Sequence, residues 1–412
     1  MLKPQTLKGF RDFLSIEERK RQYVITTLTS IFEKFGFEQM ETPVLEYEEI
    51  LAGKYGDEGE KLMYRFEDLG KRRVAMRYDQ TVPLARVIAQ YRNSLPLPFK
   101  RYQISPVWRA ENTQKGRYRE FLQCDIDTIG SDSVLSDAEI IATISCAYKA
   151  LGFNNTTILI NDREIFQDLS TDIIIVIDKL EKIGKEGVIK ELVDKKLTTT
   201  TKDAEVLLQT LLNSKPTQKL SQITNALKSL GVDMQTIKFS PTLARGLDYY
   251  TGLILEVQTP DYPYGSLCGG GRYDNLIGMF AGEKIPAVGL AVGFDRTLEA
   301  MEALHLFPAT ITNSNTKVLV TIFSKELIKQ SSEITTKLRE QNINAEIYLG
   351  EIKEKNPLEK QLKYANQKNI QLCVIIGPEE IEKNVITLKN LQTHEQKQLT
   401  LNELISMLSP IE

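Results

Sequence analysis

Apolar residues recur at helical spacing through residues 15–36, SIEERKRQYVITTLTSIFEKFG, and the run ends on a glycine. That spacing on an otherwise charged stretch predicts an amphipathic helix closed by Gly36. The next segment, FEQMETPVLEYEEIL, reads as a short strand with Pro43 inside it. A proline there points to a sheet edge or an interface, because it has no N–H for a central ladder. From VAMRYDQTVPLARVIAQY to DIDTIG, strand and helix patterns alternate. Residues 99–130, FKRYQISPVWRAENTQKGRYREFLQCDIDTIG, predict a long antiparallel hairpin with a polar loop at 112–118.

The pattern changes at 167–236. Two lysine-rich helical stretches, separated by the low-complexity run LTTTT, predict a helical insertion. Strand texture returns at 243–292 and a helix follows to about residue 304. ATITNSNT, residues 309–316, reads as a linker. Beyond it KVLVTIF, AEIYL, QLCVIIG and VITLKNL alternate with helices. Such alternation needs crossover connections, so part of that sheet is expected to be parallel. The expected organisation is a core of residues 1–166 and 237–308, interrupted by the insertion at 167–236, with the linker at 309–316 and an α/β unit at 317–412.

Composition narrows the chemistry more than the fold. The 412 residues are 42% apolar and 26% charged, as in soluble globular proteins. The longest apolar runs, such as IIIVI at 173–177, are too short to span a bilayer. The first thirty residues are charged throughout, unlike a secretory signal, so a cytosolic protein is expected. Cys124, Cys146, Cys268 and Cys373 form no C-x-x-C pair, and His305 and His394 have no nucleophile signature beside them. Zinc, disulfide and histidine-based hydrolytic chemistries are therefore disfavoured. The work falls to arginine, carboxylates, glutamine and tyrosine. A net charge of −3 favours no nucleic acid globally, so any such contact needs local basic patches.

Five segments are candidates for chemistry. LARGLDYYTG, residues 243–252, puts Arg245 ahead of Tyr249 and Tyr250 where a turn feeds the strand LILEV. On an extended backbone the two tyrosines point to opposite faces. In the hairpin, Arg109 and Glu111 share a face of the first strand. Gln123, Asp125 and Asp127 share a face of the second, with Leu122, Cys124 and Ile126 on the other. A ligand platform and a solvated outer face fit that pattern equally. In IPAVGLAVGFDRTLEAM a strand runs into a helix with Arg296 near its start, where the dipole disfavours a cation by roughly 0.3–1 kcal/mol. A bound phosphate would offset that cost; so, in part, would Asp295. In MRYDQTVPLAR, Asp79 and Thr81 share a face if extended, or Thr81 begins a helix with Pro83 in its first turn. LCGGGRYD permits close backbone approach, but it matches neither a P-loop nor a dinucleotide fingerprint.

Together these segments resemble the class II aminoacyl-tRNA synthetases, and among them the histidyl-tRNA synthetases, along the whole chain and in the family's order. FGFEQMETPVLE is similar to the first class II motif, WRAENTQKGRYREFLQCDID to the second and VGLAVGFDRTLEAM to the third. RYDQT, LARGLDYYTG and GGGRYD mark the histidine enzymes. The resemblance implies an α+β catalytic core, an antiparallel sheet flanked by helices, with a helical insertion and a C-terminal α/β anticodon-binding domain. It implies a ligase that joins histidine to ATP as an adenylate and then passes it to tRNA(His).

The site residues follow from the same resemblance. Arg109 and Arg245 clamp the α-phosphate and the histidine carboxylate, Arg245 standing where other class II enzymes use metal or a motif arginine. Glu111 reads the adenine amino group, and Arg296 meets the γ-phosphate or stacks on adenine. Asp79, Thr81 and Gln123 hold the α-amino group. Asp127 and Tyr250 meet the imidazole nitrogens, and Tyr249 lines the same pocket. Gln114, Lys115 and Arg117 touch the tRNA acceptor end. Mg²⁺ arrives with ATP rather than in a built-in cage. The chain is expected to form a homodimer and to contact no membrane. A non-catalytic relative, the regulatory subunit of the first enzyme of histidine biosynthesis, usually lacks both the C-terminal domain and the RGLDYYTG arginine; this sequence has both.

Overall fold

A computed structural model describes residues 2–54, 56–113, 116–244 and 249–409. Arg245, Gln114 and Lys115 lie outside the described residues. The chain divides into two compact units, residues 1–307 and 308–412.

The first unit is built on an eight-stranded sheet. Its strands are β1 (Glu38–Gln39), β5 (Phe99–Trp108), β6 (Glu120–Ile129), β7 (Thr157–Asp162), β8 (Ile237–Phe239), β9 (Leu253–Gln258), β10 (Cys268–Arg272) and β11 (Ala287–Gly293). A small second sheet holds β2 (Leu45–Tyr47), β3 (Arg65–Glu67) and β4 (Arg73–Met76). The large sheet runs β1-β5-β6-β11-β10-β9-β7-β8, antiparallel except at its two ends, where β1 pairs with β5 and β8 with β7 in parallel.

The opening helix, Ser15–Lys34, buries Val24, Leu28 and Phe32, one residue per turn. They pack with Tyr102, Cys124 and Ile126 of the sheet and with Ile140, Ile141 and Ile144 of the helix Val134–Ala150. Full burial of such side chains contributes about 1.5–3 kcal/mol each, so this face anchors the hairpin. Gly36 reverses the chain after the helix at φ 76°, a left-handed conformation that suits glycine. Pro43 does not sit inside a strand: it lies between β1 and β2, where the chain passes from one sheet to the other. A residue without an N–H is tolerated there because no ladder needs it.

Residues 167–236 fold mainly as four helices, Thr171–Ile177, Leu180–Asp194, Thr201–Leu212 and Gln218–Ser229. The LTTTT run ends in a cap: Thr200 accepts from Asp203 N while Asp203 reaches back to the Thr200 N–H. These helices share the core of the sheet. Leu220, Ile223 and Leu227 join the cluster around Cys124, and Val176, Leu192 and Leu208 join the one around Ile254 and Leu276.

The second unit carries a five-stranded sheet of β12 (Val318–Val320), β13 (Ala345–Ile347), β14 (Leu372–Ile375), β15 (Ile386–Asn390) and β16 (Gln396–Leu399), in the order β13-β12-β14-β15-β16. β12 is parallel to both its neighbours and the remaining pairs are antiparallel, as the alternation of strands and helices requires. Residues expected as a linker are tied to this unit. Ala309–Thr312 is a 3-10 turn, Ser314 N donates to Asn369 O at 3.1 Å, and Asn369 Nδ2 donates to Thr312 O at 3.2 Å. No helix among the described residues is long and apolar enough to cross a membrane.

Candidate active site

The hairpin puts one polar ladder against another. Arg101, Gln103 and Ser105 of β5 stand opposite Asp127, Asp125 and Gln123 of β6. Arg109 and Glu111 lie beyond the last strand pair, Trp108 with Glu120; Arg109 N still donates to Arg119 O at 2.9 Å and its side chain reaches the same polar face, whereas Glu111 does not. On the other side of β6, the same three polar residues face Gly289, Ala291 and Gly293 of β11. A polar wall beside a nearly side-chain-free strip leaves a hollow in the sheet.

The strip is bare for a steric reason. A Cβ on Gly289 would lie 1.9 Å from Asp127 Oδ1, and one on Gly271 would lie 2.9 Å from the Tyr250 ring. The hollow is a cavity of about 190 Å³ lined by Asp79, Thr81, Gln123, Asp127, Tyr249 and Tyr250, six residues expected to bind histidine, and by Arg109, expected between its carboxylate and the α-phosphate. Asp125, Tyr78 and Tyr273 join them. The two adjacent tyrosines do not point to opposite faces. They precede β9, in a turn where the period of two does not apply, and their rings meet at 4.9 Å. Thr81 begins the helix Thr81–Tyr91, and Asp79 Oδ1 accepts from Val82 N at 3.1 Å. Helix start and cavity wall are therefore the same residues.

Charge in this cavity is set by burial. Arg101 is wholly buried, with Nη2 2.7 Å from Asp127 Oδ2, while Asp127 Oδ1 accepts from the Tyr273 hydroxyl. Burial raises the Asp127 pKa, and Arg101 and the Tyr273 hydrogen bond work against that rise. Burial pushes Asp125 well above the usual carboxylate range; Arg101 opposes this, and the Asp127 and Asp79 charges add to it. Tyr273 is likewise pushed well up, by burial first and then by the Asp127 charge. Gln123 Nε2 donates to Asp125 Oδ2 at 3.0 Å. Gln123 Oε1 and Asp125 Oδ1 are buried without a hydrogen-bond partner. Two orphaned acceptors beside a carboxylate fit a small cation with several N–H donors, since leaving such groups unpaired is costly.

Arg109 faces the same cavity. Its Nε donates to Tyr78 O at 3.1 Å, and its guanidinium lies 4.4 Å over the Tyr78 ring and 5.1 Å from that of Phe121. Clamped in this way, the planar cation has little freedom to reorient.

A second cavity, of about 400 Å³, is lined by Arg117, Arg296, Tyr264, Glu256 and Gln258, with Lys182 from the inserted helices. Arg296 is the third residue of the helix Phe294–Ala303 and its Nη1 donates to Ser266 O at 2.8 Å. Gly265, at φ 105°, makes room for it: a Cβ there would fall 3.1 Å from Arg296 Nη1. Glu111 lines neither cavity; its carboxylate meets Arg117 Nη1 at 3.5 Å and its carbonyl accepts from Arg119 Nε at 3.1 Å. Leu243 and Ala244 line the larger cavity and Tyr249 and Tyr250 the smaller, so the neighbours of Arg245 in sequence reach both.

Sequence reasoning passed over Arg101 and Tyr273. The signal for Arg101 was present: Arg101, Gln103 and Ser105 are polar at period two within the strand. Tyr273 lay within a recognised motif, but nothing local tells its role from that of Arg272 beside it.

Comparison with known proteins decides the family. Residues 9–297 match the histidyl-tRNA synthetase family and residues 317–410 match the anticodon binding domain. The chain belongs to the histidyl-tRNA synthetase family. It is 39% identical to the histidine–tRNA ligase of Cytophaga hutchinsonii, with 99% of this chain and all of that one covered, and 40% identical to that of Wolinella succinogenes, with 96% of each covered. Among solved structures it is similar to histidyl-tRNA synthetase from Nostoc sp. PCC 7120, with a TM-score of 0.84 and 29% identity over 99% of both chains. A structure described as an ATP phosphoribosyltransferase regulatory subunit/histidyl-tRNA synthetase from Bacillus halodurans shares the fold, at a TM-score of 0.71 and 22% identity. The chain is an aminoacyl-tRNA ligase that uses ATP to attach histidine to tRNA.

Proposed function

We propose that the 190 Å³ cavity holds histidine and that the 400 Å³ cavity receives part of ATP. The observation that carries this reading is the pair of orphaned acceptors, Gln123 Oε1 and Asp125 Oδ1, in the same cavity as Asp79 and Arg109. The α-ammonium satisfies the acceptors and Asp79, with Thr81 at its side. Asp127 and Tyr250 read the imidazole, whose two nitrogens want partners that other amino acids leave unpaired. Arg109 meets the carboxylate and the α-phosphate, and Arg245 is its counterpart on the strength of its motif. Arg296 and Arg117 take the polyphosphate, with Glu111 oriented by Arg117 towards the adenine.

In the first step a histidine carboxylate oxygen bonds to the α-phosphorus while the bond to the β-phosphate oxygen breaks. Pyrophosphate leaves with the electron pair. Negative charge builds on the phosphoryl oxygens, and fixed guanidinium groups stabilise it without reorganising. Mg²⁺ enters with ATP; among the described residues no group of three or more His, Cys, Asp or Glu side chains is placed to hold a metal. In the second step the terminal ribose hydroxyl attacks the carbonyl carbon and AMP leaves. Lys115 and Gln114 face the acceptor end of tRNA(His) in this reading, and the enzyme acts as a cytoplasmic homodimer. Support for dimerisation is the two-residue edge strand β1 with exposed Val44, Leu45, Tyr47 and Phe66 nearby in sequence or on the small sheet.

Asp79→Asn tests the histidine assignment in ATP–pyrophosphate exchange. The KM for histidine rises at least about tenfold, the scale of a lost charged hydrogen bond, with the KM for ATP unchanged. An unchanged KM for histidine would overturn the assignment.

A further inference from the structure

The segment before the first helix touches both sides of the proposed ATP site without lining it. Gly9 O accepts from Arg119 N at 2.9 Å, which ties the segment to the base of the hairpin. Gly9 sits at φ 87°, and a Cβ there would lie 2.7 Å from Arg119 Cγ and 2.8 Å from Thr113 Cγ2, so only glycine fits. Two residues on, the Arg11 guanidinium carbon stands 3.2 Å from the centre of the Tyr118 ring. Its Nη2 is 2.8 Å from Asp295 Oδ1. Asp295 is buried, and Arg21 Nη1 approaches the same oxygen at 3.7 Å while its guanidinium packs 3.9 Å over Phe13.

One guanidinium therefore grips Tyr118, next in sequence to Arg117, and Asp295, next to Arg296. Among the described residues, Arg117 and Arg296 are the arginines that line the 400 Å³ cavity, and they come from elements more than 170 positions apart. We propose that Arg11 is a positioning residue for ATP. It holds the hairpin turn and the start of the helix Phe294–Ala303 at a fixed separation, so that Arg117 and Arg296 meet the polyphosphate together. The inference rests on the ATP reading above. Its physical basis is that two cations acting on one polyanion lose their joint effect when either is displaced by about 1 Å. Planarity matters as well as charge: lysine can keep an ion pair with Asp295 but cannot stack on Tyr118 as a guanidinium does.

The test is ATP–pyrophosphate exchange by Arg11→Ala, Arg11→Lys and Arg296→Ala, with ATP and histidine varied separately and a thermal midpoint for each protein. Arg11→Ala is expected to raise the KM for ATP about tenfold or more with the KM for histidine unchanged, and Arg11→Lys to recover part of the loss. A lowered thermal midpoint with an unchanged KM for ATP would make Arg11 a strut of the fold and nothing more, and equal rises in both KM values would also overturn the proposal. Arg296→Ala separates the two layers. If it raises the KM for ATP and Arg11→Ala does not, the positioning role alone fails; if it leaves that KM unchanged, the ATP reading fails and the inference with it. Should Arg11→Ala not fold, Arg11→Lys and Tyr118→Leu carry the same ATP-specific expectation, and its absence in both overturns the proposal.

Discussion

Two buried arginines in the large sheet have similar partners and opposite uses. Arg101 and Arg272 are each at most 1% exposed, and each meets a buried aspartate. Arg272 binds Asp137 at 2.9 Å, Asp274 at 3.1 Å and the Ser131 carbonyl at 3.0 Å. Asp274 in turn accepts from Ala287 N, and its own N–H donates to Thr251 Oγ1. Every partner is a backbone or side-chain group that joins one segment of the core to another. The Arg101 partner Asp127 instead lines a cavity, beside acceptors that nothing satisfies. Unpaired atoms occur in both clusters, since Asp137 Oδ2 and Arg272 Nη2 are also buried without a hydrogen-bond partner. A buried ion cluster thus does not by itself mark a site; a cavity lined by its carboxylate does. The contrast falls within a single motif, because Arg272 goes to the structural cluster and Tyr273, the next residue, to Asp127.

The widest effect expected from this contrast is on stability. Arg272→Ala leaves Asp137 buried without its cation and should cost about 3–5 kcal/mol, read as a shift of the denaturant midpoint. A midpoint close to wild type would erase the distinction from the structural side. Asp127→Asn takes the carboxylate from the buried Arg101 and should lower the midpoint too, but in the folded protein it should lower kcat/KM for histidine on the order of 10²-fold with the KM for ATP unchanged, as expected for a lost charged contact to the substrate. Tyr273→Phe removes one hydrogen bond to Asp127 and should cost about tenfold in the same quantity, with ATP kinetics unaffected.

The smallest effect concerns pH. Burial raises the Asp125 pKa, so as pH falls its carboxyl takes up a proton sooner than an exposed aspartate would. The neutral acid attracts the ammonium less, and the KM for histidine should rise a few-fold as pH falls through that raised pKa. Asp125→Asn should remove that step, and the ratio of wild type to variant cancels the titration of histidine itself. The effect on stability has the opposite sign. A raised folded-state pKa contributes stability that is present below the unfolded pKa and lost as pH rises through the folded one, so Asp125 does not drive acid unfolding. A KM ratio that is flat with pH would remove Asp125 from the site.

Much of this was legible in the sequence where a short-range period carries the information. The two faces of β6 follow from alternation: Gln123, Asp125 and Asp127 line the cavity while Cys124 and Ile126 enter the core. The helix after Gly293 and the helix that begins at Thr81 are equally local. Register is not local. Alternation gave the shared faces but not which residues stand opposite the acids; pairing puts Arg101, Gln103 and Ser105 there, because the position of the turn fixes which residues face each other. Tyr249 and Tyr250 misled for a related reason, since alternation applies only within a strand and both precede β9. The division of labour between Arg272 and Tyr273 depends on partners more than 130 residues away, which no window of sequence contains.

The central claim is that the Asp127 cavity is where histidine is chosen. ATP–pyrophosphate exchange by wild type and Asp127→Asn, with histidine and ATP titrated independently, tests it most directly. The account predicts a loss on the order of 10²-fold in kcat/KM for histidine and an unchanged KM for ATP. Wild-type histidine kinetics in a folded Asp127→Asn protein would contradict it.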